Sequence, residues 1–108
     1  MMTFESALKR LAEKEPGKFK IGYPADFEVM EFEWGHGWLR LYKFTQDDID
    51  KILSLIGWNY EVRKSTQKWY YIIYGEDDFL KFECEEDYPT KLEAAQAALI
   101  AIVEKEYP

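Results

Sequence analysis

The sequence is poor in the residues that disulfide frameworks and metal sites need. Its 108 residues contain one cysteine, Cys84, and one histidine, His36. A lone cysteine excludes an internal disulfide and a multi-cysteine zinc site. We interpret Cys84 as a small buried hydrophobic residue, because no second histidine or basic neighbour favours a reactive thiolate. His36 lies between two glycines, and we interpret it as a solvated turn residue; the alternative is a partner contact or a weak metal ligand.

Other missing patterns narrow the function. No apolar run is long enough to span a bilayer, and the N-terminus lacks the apolar core of a signal peptide, so we expect a cytoplasmic protein without membrane contact. The sequence has no phosphate-binding glycine loop, nucleophile elbow or calcium-loop spacing. No pair of carboxylates stands out for glycoside hydrolysis. We therefore predict a protein that is not an enzyme and binds no cofactor or metal.

Basic residues are scarce in the last third of the chain. Residues 1–75 carry 11 acidic and 11 basic side chains, whereas residues 76–108 carry 10 acidic and 3 basic ones, so the net charge of −7 arises there. Such a surface repels phosphate backbones, which argues against direct nucleic-acid binding. It suits a protein partner with a basic surface, although acidity often serves only solubility.

The patterning predicts one α+β domain over residues 1–108, with the order α-β-β-α-β-β-β-α. Helices are expected after Thr3, Thr45 and Thr90. Thr3 and Thr90 can cap their helices, and Glu93 completes a capping box with Thr90. Acidic residues follow Thr45 near the positive end of the helix dipole. Residues 18–26 are interpreted as a loop because of Gly22 and Pro24. The predicted strands cover residues 27–34, 38–44, 58–64, 68–74 and 79–83.

Short turns between these strands imply an antiparallel sheet of about five strands packed against the helices. Gly35-His36-Gly37 is predicted to form a hairpin turn between the first two strands. Whether this first hairpin joins the later three strands in one sheet stays open. The predicted buried stripe of the last helix is Leu92, Ala95, Leu99, Ile102 and Val103.

The C-terminal third resembles a known group of domains. Residues 69–74 read Trp-Tyr-Tyr-Ile-Ile-Tyr, an acidic turn follows, and an alanine-rich helix starts at Thr90. This end is similar to that of small phage and prophage domains of the α-β-α sandwich type, in which a tryptophan-bearing hairpin precedes a helix started by threonine. The resemblance implies a viral or mobile-element origin and a host-modulating role, and it supplies no catalytic residue.

These observations predict an acidic interaction domain, such as a phage-type inhibitor of a host protein. Its docking residues would be an acidic patch with nearby exposed aromatics and the histidine: Glu76, Asp77, Asp78, Glu83, Glu85, Glu86, Asp87, Trp34, Trp38 and His36. The alternative is a small-molecule-binding module with a pocket lined by Trp34, Trp38 and Trp58. Self-association through a sheet edge or the tyrosine-rich face is a third possibility.

Overall fold

The chain combines three helices with antiparallel strands, which confirms the predicted α+β class. A computed structural model describes residues 2–21, 26–29, 37–40, 45–74, 80–83 and 87–107, with the backbone alone for residues 21, 26–29, 37–40 and 80–83. None of the helices in these ranges has the length and apolar composition needed to cross a membrane.

Each helix begins directly after the threonine that the sequence predicts. Helix α1 spans Phe4–Lys14, α2 spans Gln46–Leu55 and α3 spans Lys91–Glu106. In each, the threonine side chain accepts a hydrogen bond from the backbone N–H three residues on. This contact satisfies one of the amides that a helix start leaves without a partner. Helix α2 ends before Gly57, whose φ of 80° is readily adopted only by glycine.

Six strands form two separate sheets within the described residues. Sheet A contains β1, β2 and β3 in that order, and sheet B contains β4, β5 and β6 in that order, with every neighbouring pair antiparallel. The prediction of about five strands and its element order was therefore wrong. The strands are Phe19–Ile21 (β1), Asp26–Val29 (β2), Gly37–Arg40 (β3), Asn59–Ser65 (β4), Lys68–Tyr74 (β5) and Leu80–Glu83 (β6).

Strand β1 lies where the sequence predicted a loop. Phe19, its first residue, is 1% exposed and belongs to the core. The backbone N–H groups of Lys18 and Phe19 both donate to the carbonyl oxygen of Glu15, which turns the chain sharply after α1. Burial of one phenylalanine and pairing with β2 thus outweigh the loop signals that follow in the sequence.

The pairing of β2 with β3 also differs from the predicted hairpin. A turn centred on His36 would place Trp38 opposite Trp34, but Trp38 pairs with Glu28 and Gly37 pairs with Val29. Gly37 is therefore a residue of β3 that pairs with Val29, which contradicts a turn centred on His36. The side-chain roles predicted for residues 30–36 and 41–44 lie outside the described residues.

Helix α3 forms the middle of the core. It packs against α1, α2, β4 and β5, so its buried stripe is wider than the predicted one and includes three alanines at 0% exposure. Small side chains allow several elements to approach one helix closely. Leu92 is 36% exposed, contrary to prediction, because the covering elements bury α3 only from Ala94 onward. The buried residues of α3 are Ala94, Ala95, Ala98, Leu99, Ile102 and Val103.

The ends of α1 and α3 are joined by polar contacts. The backbone N–H of Met2 donates to Glu104 Oε1 at 2.9 Å, and Arg10 Nη1 donates to the carbonyl oxygen of Tyr107 at 2.9 Å. The Tyr107 hydroxyl donates to Glu15 Oε1 at 3.2 Å. Burial, followed by the negative charge of Glu15, raises the pKa of Tyr107 to about 12. The hydroxyl therefore stays a hydrogen-bond donor throughout the neutral range.

The turn between β4 and β5 holds a strained residue that allows a stability test. Ser65 pairs with Lys68, so Thr66 and Gln67 form a two-residue turn in which Thr66 has a φ of 54°. A β-branched residue is disfavoured at positive φ, whereas glycine is not. We expect Thr66→Gly to raise the free energy of unfolding by about 1 kcal/mol, measured by urea denaturation. Gln67→Gly is the control, and an equal gain there would contradict the strain explanation.

Candidate functional site

Most of the predicted docking residues lie outside the part of the chain that the structure describes. This applies to Glu76, Asp77, Asp78, Glu85, Glu86, Trp34 and His36. Glu83 lies on β6 and Trp38 on β3, but the structure describes only the backbone of these two residues. Asp87 is exposed. Of the three tryptophans of the alternative pocket, Trp58 is half-buried and packs against the core. The acidic patch and the tryptophan pocket therefore stay predictions.

Sheet B presents two chemically different faces. Its inner face, toward the helices, carries Tyr60 and Val62 opposite the buried Ile73 and Tyr71. On β4 and β5, the outer face carries the alternate side chains, as the two-residue period of a strand requires. We call this set the outer face of sheet B: Asn59, Glu61, Arg63, Ser65, Lys68, Tyr70, Ile72 and Tyr74.

An ion pair lies on the outer face. Arg63 Nε donates to Glu61 Oε2 at 2.9 Å, and Arg63 Nη2 lies 2.7 Å from the same oxygen. The hydrogen bond to Glu61, with the charge of that carboxylate, raises the pKa of Arg63, which remains cationic. Both side chains are about half exposed, at 53% for Arg63 and 49% for Glu61. Exposed pairs contribute little to stability, so both groups are available to another molecule.

A cleft opens where β4 begins and β5 ends. It has a volume of about 460 Å³ and is lined by Asn59, Tyr60, Glu61 and Tyr74. Asn59 pairs with Tyr74 across the two strands, so the cleft crosses the end of sheet B. Asn59, Glu61 and Tyr74 belong to the outer face and Tyr60 to the inner face, so an amide, a carboxylate and one phenol share the outer side of the opening, a composition that suits a cationic side chain.

Tyr60, one of the residues that line this cleft, lies near two acidic residues of α2. Burial raises the pKa of Tyr60. The neighbouring Asp50 side chain and the negative charges of Asp50 and Asp47 raise this pKa further, whereas Gln46 lowers it. The hydroxyl oxygen is buried and has no hydrogen-bond partner of normal geometry among the described residues. Glu61 is thus the carboxylate that lines the cleft, and Asp47 and Asp50 of α2 lie within electrostatic reach of Tyr60.

The opposite end of sheet B is basic and aromatic. The Nζ atoms of Lys64 and Lys91 lie 5.7 and 5.9 Å from the ring centre of Trp69, within the range of cation–π attraction. The backbones of Trp69 and Tyr88 exchange hydrogen bonds of 2.8 and 2.7 Å, and the Tyr88 ring stacks on Tyr71 at 6.3 Å. Trp69 therefore has a packing role that connects sheet B to the start of α3.

A second opening lies between α1 and β1. This groove of about 580 Å³ was not expected, because β1 was not predicted. Its charged rim carries both signs, so its electrostatics select no class of ligand. It is lined by Lys9, Ala12, Glu13, Pro16, Phe19 and Lys20.

One feature of the sequence indicates part of the cleft. Residues 59–65 alternate, so Asn59, Glu61 and Arg63 share one face of their strand, and the register then places Tyr74 beside Asn59 on that face. Within the described ranges, no group of three or more His, Cys, Asp and Glu side chains is placed to hold a metal ion. No protein family, curated protein or solved structure matches the chain.

Proposed function

We propose that the protein is a non-enzymatic interaction domain whose cleft at the end of sheet B binds a lysine or arginine side chain of a basic partner protein. The observation that carries the proposal is that Glu61 and Tyr74 line one opening together with Tyr60, which lies near Asp50 of α2. Tyrosine is common among the residues that dominate binding energy at protein interfaces. A cation over a tyrosine ring contributes about 0.5–2 kcal/mol, depending on desolvation.

The charge around the cleft supports a basic partner. Asp47 and Asp50 are exposed residues of α2, and Glu61 is half exposed. In the chain, Glu76, Asp77 and Asp78 follow Tyr74 within four residues, so the predicted acidic patch adjoins the cleft in sequence. Complementary charge of this kind mainly raises the association rate and selects the partner, while desolvated aromatic contacts supply affinity. The resemblance of the C-terminal third to phage domains supports a host protein as the partner and inhibition or modulation as the outcome.

The proposal is tested with a tetra-arginine peptide as the probe, titrated into ¹⁵N-labelled protein. We expect salt-dependent chemical-shift changes at Asn59, Tyr60, Glu61 and Tyr74. Tyr74→Ala removes one wall of the cleft and Asp50→Lys reverses a negative charge next to Tyr60, so each should weaken binding about tenfold, or about 1.4 kcal/mol.

Matched controls separate the cleft from general acidity. Tyr70→Ala removes a tyrosine of the same strand that does not line the cleft, and Glu13→Lys makes the same charge change on α1. Both should bind the peptide like the unaltered chain. Equal weakening by Asp50→Lys and Glu13→Lys would show binding to the net charge alone, and absent shifts at the cleft would refute the proposal.

A further inference from the structure

Strand β4 is an edge of sheet B. It pairs with β5 along its full length from Asn59 to Ser65, and no other described strand pairs with its second side. An edge of seven residues is long enough to accept another strand through backbone hydrogen bonds. What it accepts depends on which backbone groups point outward and which side chains meet across the new pair.

The turn after β4 determines the outward backbone groups. In a hairpin with a two-residue turn, the residues that flank the turn exchange both hydrogen bonds. Ser65 and Lys68 are that pair here, and the register continues without a shift to Asn59 and Tyr74. Alternate residues of β4 therefore bond to β5, and the N–H and C=O groups of Tyr60, Val62 and Lys64 point away from it.

The sequence of β4 is complementary to itself in one register. If two copies pair antiparallel with Val62 opposite Val62, all seven residues find a partner and the outward groups of both strands meet. This register places Glu61 opposite Arg63 of the second copy, twice by symmetry, and Tyr60 opposite Lys64 of the second copy. Opposite charges across a strand pair stabilise it, and like charges destabilise it.

The neighbouring registers are disfavoured by charge. A shift by two residues in one direction places Glu61 opposite Glu61, and a shift in the other direction places Arg63 opposite Arg63. Each shift also loses pairs at the strand ends. Among the registers that match outward backbone groups, the full-length register is thus the one that combines complete pairing with opposite charges.

We propose that β4 is a self-association site, at which a second copy of this chain pairs antiparallel about Val62 to form a continuous six-stranded sheet with two-fold symmetry. The half-exposed Glu61 and Arg63 of each copy then join one network of four charges on the outer face. This interaction does not depend on the basic partner proposed above. If the chain fails to bind the tetra-arginine peptide, we still expect it to dimerise.

Sedimentation equilibrium of the full chain over a concentration series tests the proposal. At about 0.15 M salt, where repulsion between net charges is screened beyond about 8 Å, we expect a reversible monomer–dimer equilibrium. Glu61→Arg and Arg63→Glu each replace both attractive pairs by like-charge pairs, so each should weaken the dimer at least about tenfold. An equimolar mixture of the two variants should recover the dimer as a heterodimer, because each copy then meets the opposite charge.

Two further variants address folding and register. The double variant Glu61→Arg with Arg63→Glu keeps opposite charges across the dimer and should associate like the unaltered chain. Val62→Pro removes an N–H that faces away from β5, so it should abolish dimerisation while the monomer keeps its circular dichroism spectrum. Glu13→Arg and Lys14→Glu are exposed α1 controls with the same charge changes. A chain that is monomeric at every concentration, or a dimer indifferent to the β4 variants, would overturn the proposal.

Discussion

Replacing Leu99 by alanine should lower the free energy of unfolding by about 2–5 kcal/mol, the range observed for large cavities in protein cores. Leu99 is 0% exposed and lies in the middle of α3, the helix that contacts α1, α2 and sheet B. Removal of three side-chain carbons at this position leaves a cavity bordered by several elements, which cannot all move to fill it. Urea denaturation monitored by circular dichroism measures the change.

Leu92→Ala is the matched control for Leu99→Ala. It makes the same chemical change on the same helix, but Leu92 is 36% exposed, so the expected loss is below about 1 kcal/mol. This comparison also tests the correction to the predicted stripe of α3. Similar losses for the two variants would show that the first turn of α3 is buried, as the sequence pattern suggested.

The second large effect is expected at Phe19, where alanine should cost about 3–5 kcal/mol. Phe19 connects β1, an edge strand of sheet A, to the core that α1 helps to form. Phe19→Leu keeps most of the buried volume and should cost less than about 1.5 kcal/mol.

Lys20→Ala provides the control for Phe19, because its exposed side chain belongs to the same strand. We expect a change within about 0.5 kcal/mol, from the same denaturation experiment. A loss at Phe19 as small as that at Lys20 would contradict the anchoring of β1 in the core. If β1 is not anchored in this way, the backbone amides of β1 should exchange rapidly with solvent in Phe19→Ala, Phe19→Leu and Lys20→Ala alike.

The helices were predictable because their signals are local. A threonine cap acts on an amide three residues away, as at Thr45 and Asp48, where both hydrogen bonds of a capping box form. The predicted limits of β5, residues 68–74, also match, since an uninterrupted run of aromatic and β-branched residues describes a strand buried on both faces. Tyr71, Ile72 and Ile73 are all at most 7% exposed.

The errors arose where distant residues decide the structure. Phe19 extends the chain into β1 because it fits a core made by residues far along the sequence. Gly37 pairs with Val29 rather than with Gly35, as a turn centred on His36 would require. This pairing depends on strand register, which short-range turn signals predict poorly. To predict the candidate cleft, one would have to know the register of β4 with β5, the position of α2, and the burial of Tyr60.

The contacts between α1 and α3 have a consequence for synthesis in the cell. Ala7, Leu8 and Leu11 are fully buried in a core that includes residues of α3, and Arg10 donates to Tyr107, so the earliest and latest described residues stabilise each other. The chain is synthesised from its N-terminus, so the apolar side chains of α1 cannot be buried against α3 until α3 has left the ribosome. We infer that folding is completed only after translation of α3, and that nascent chains stalled before it expose α1 to chaperones.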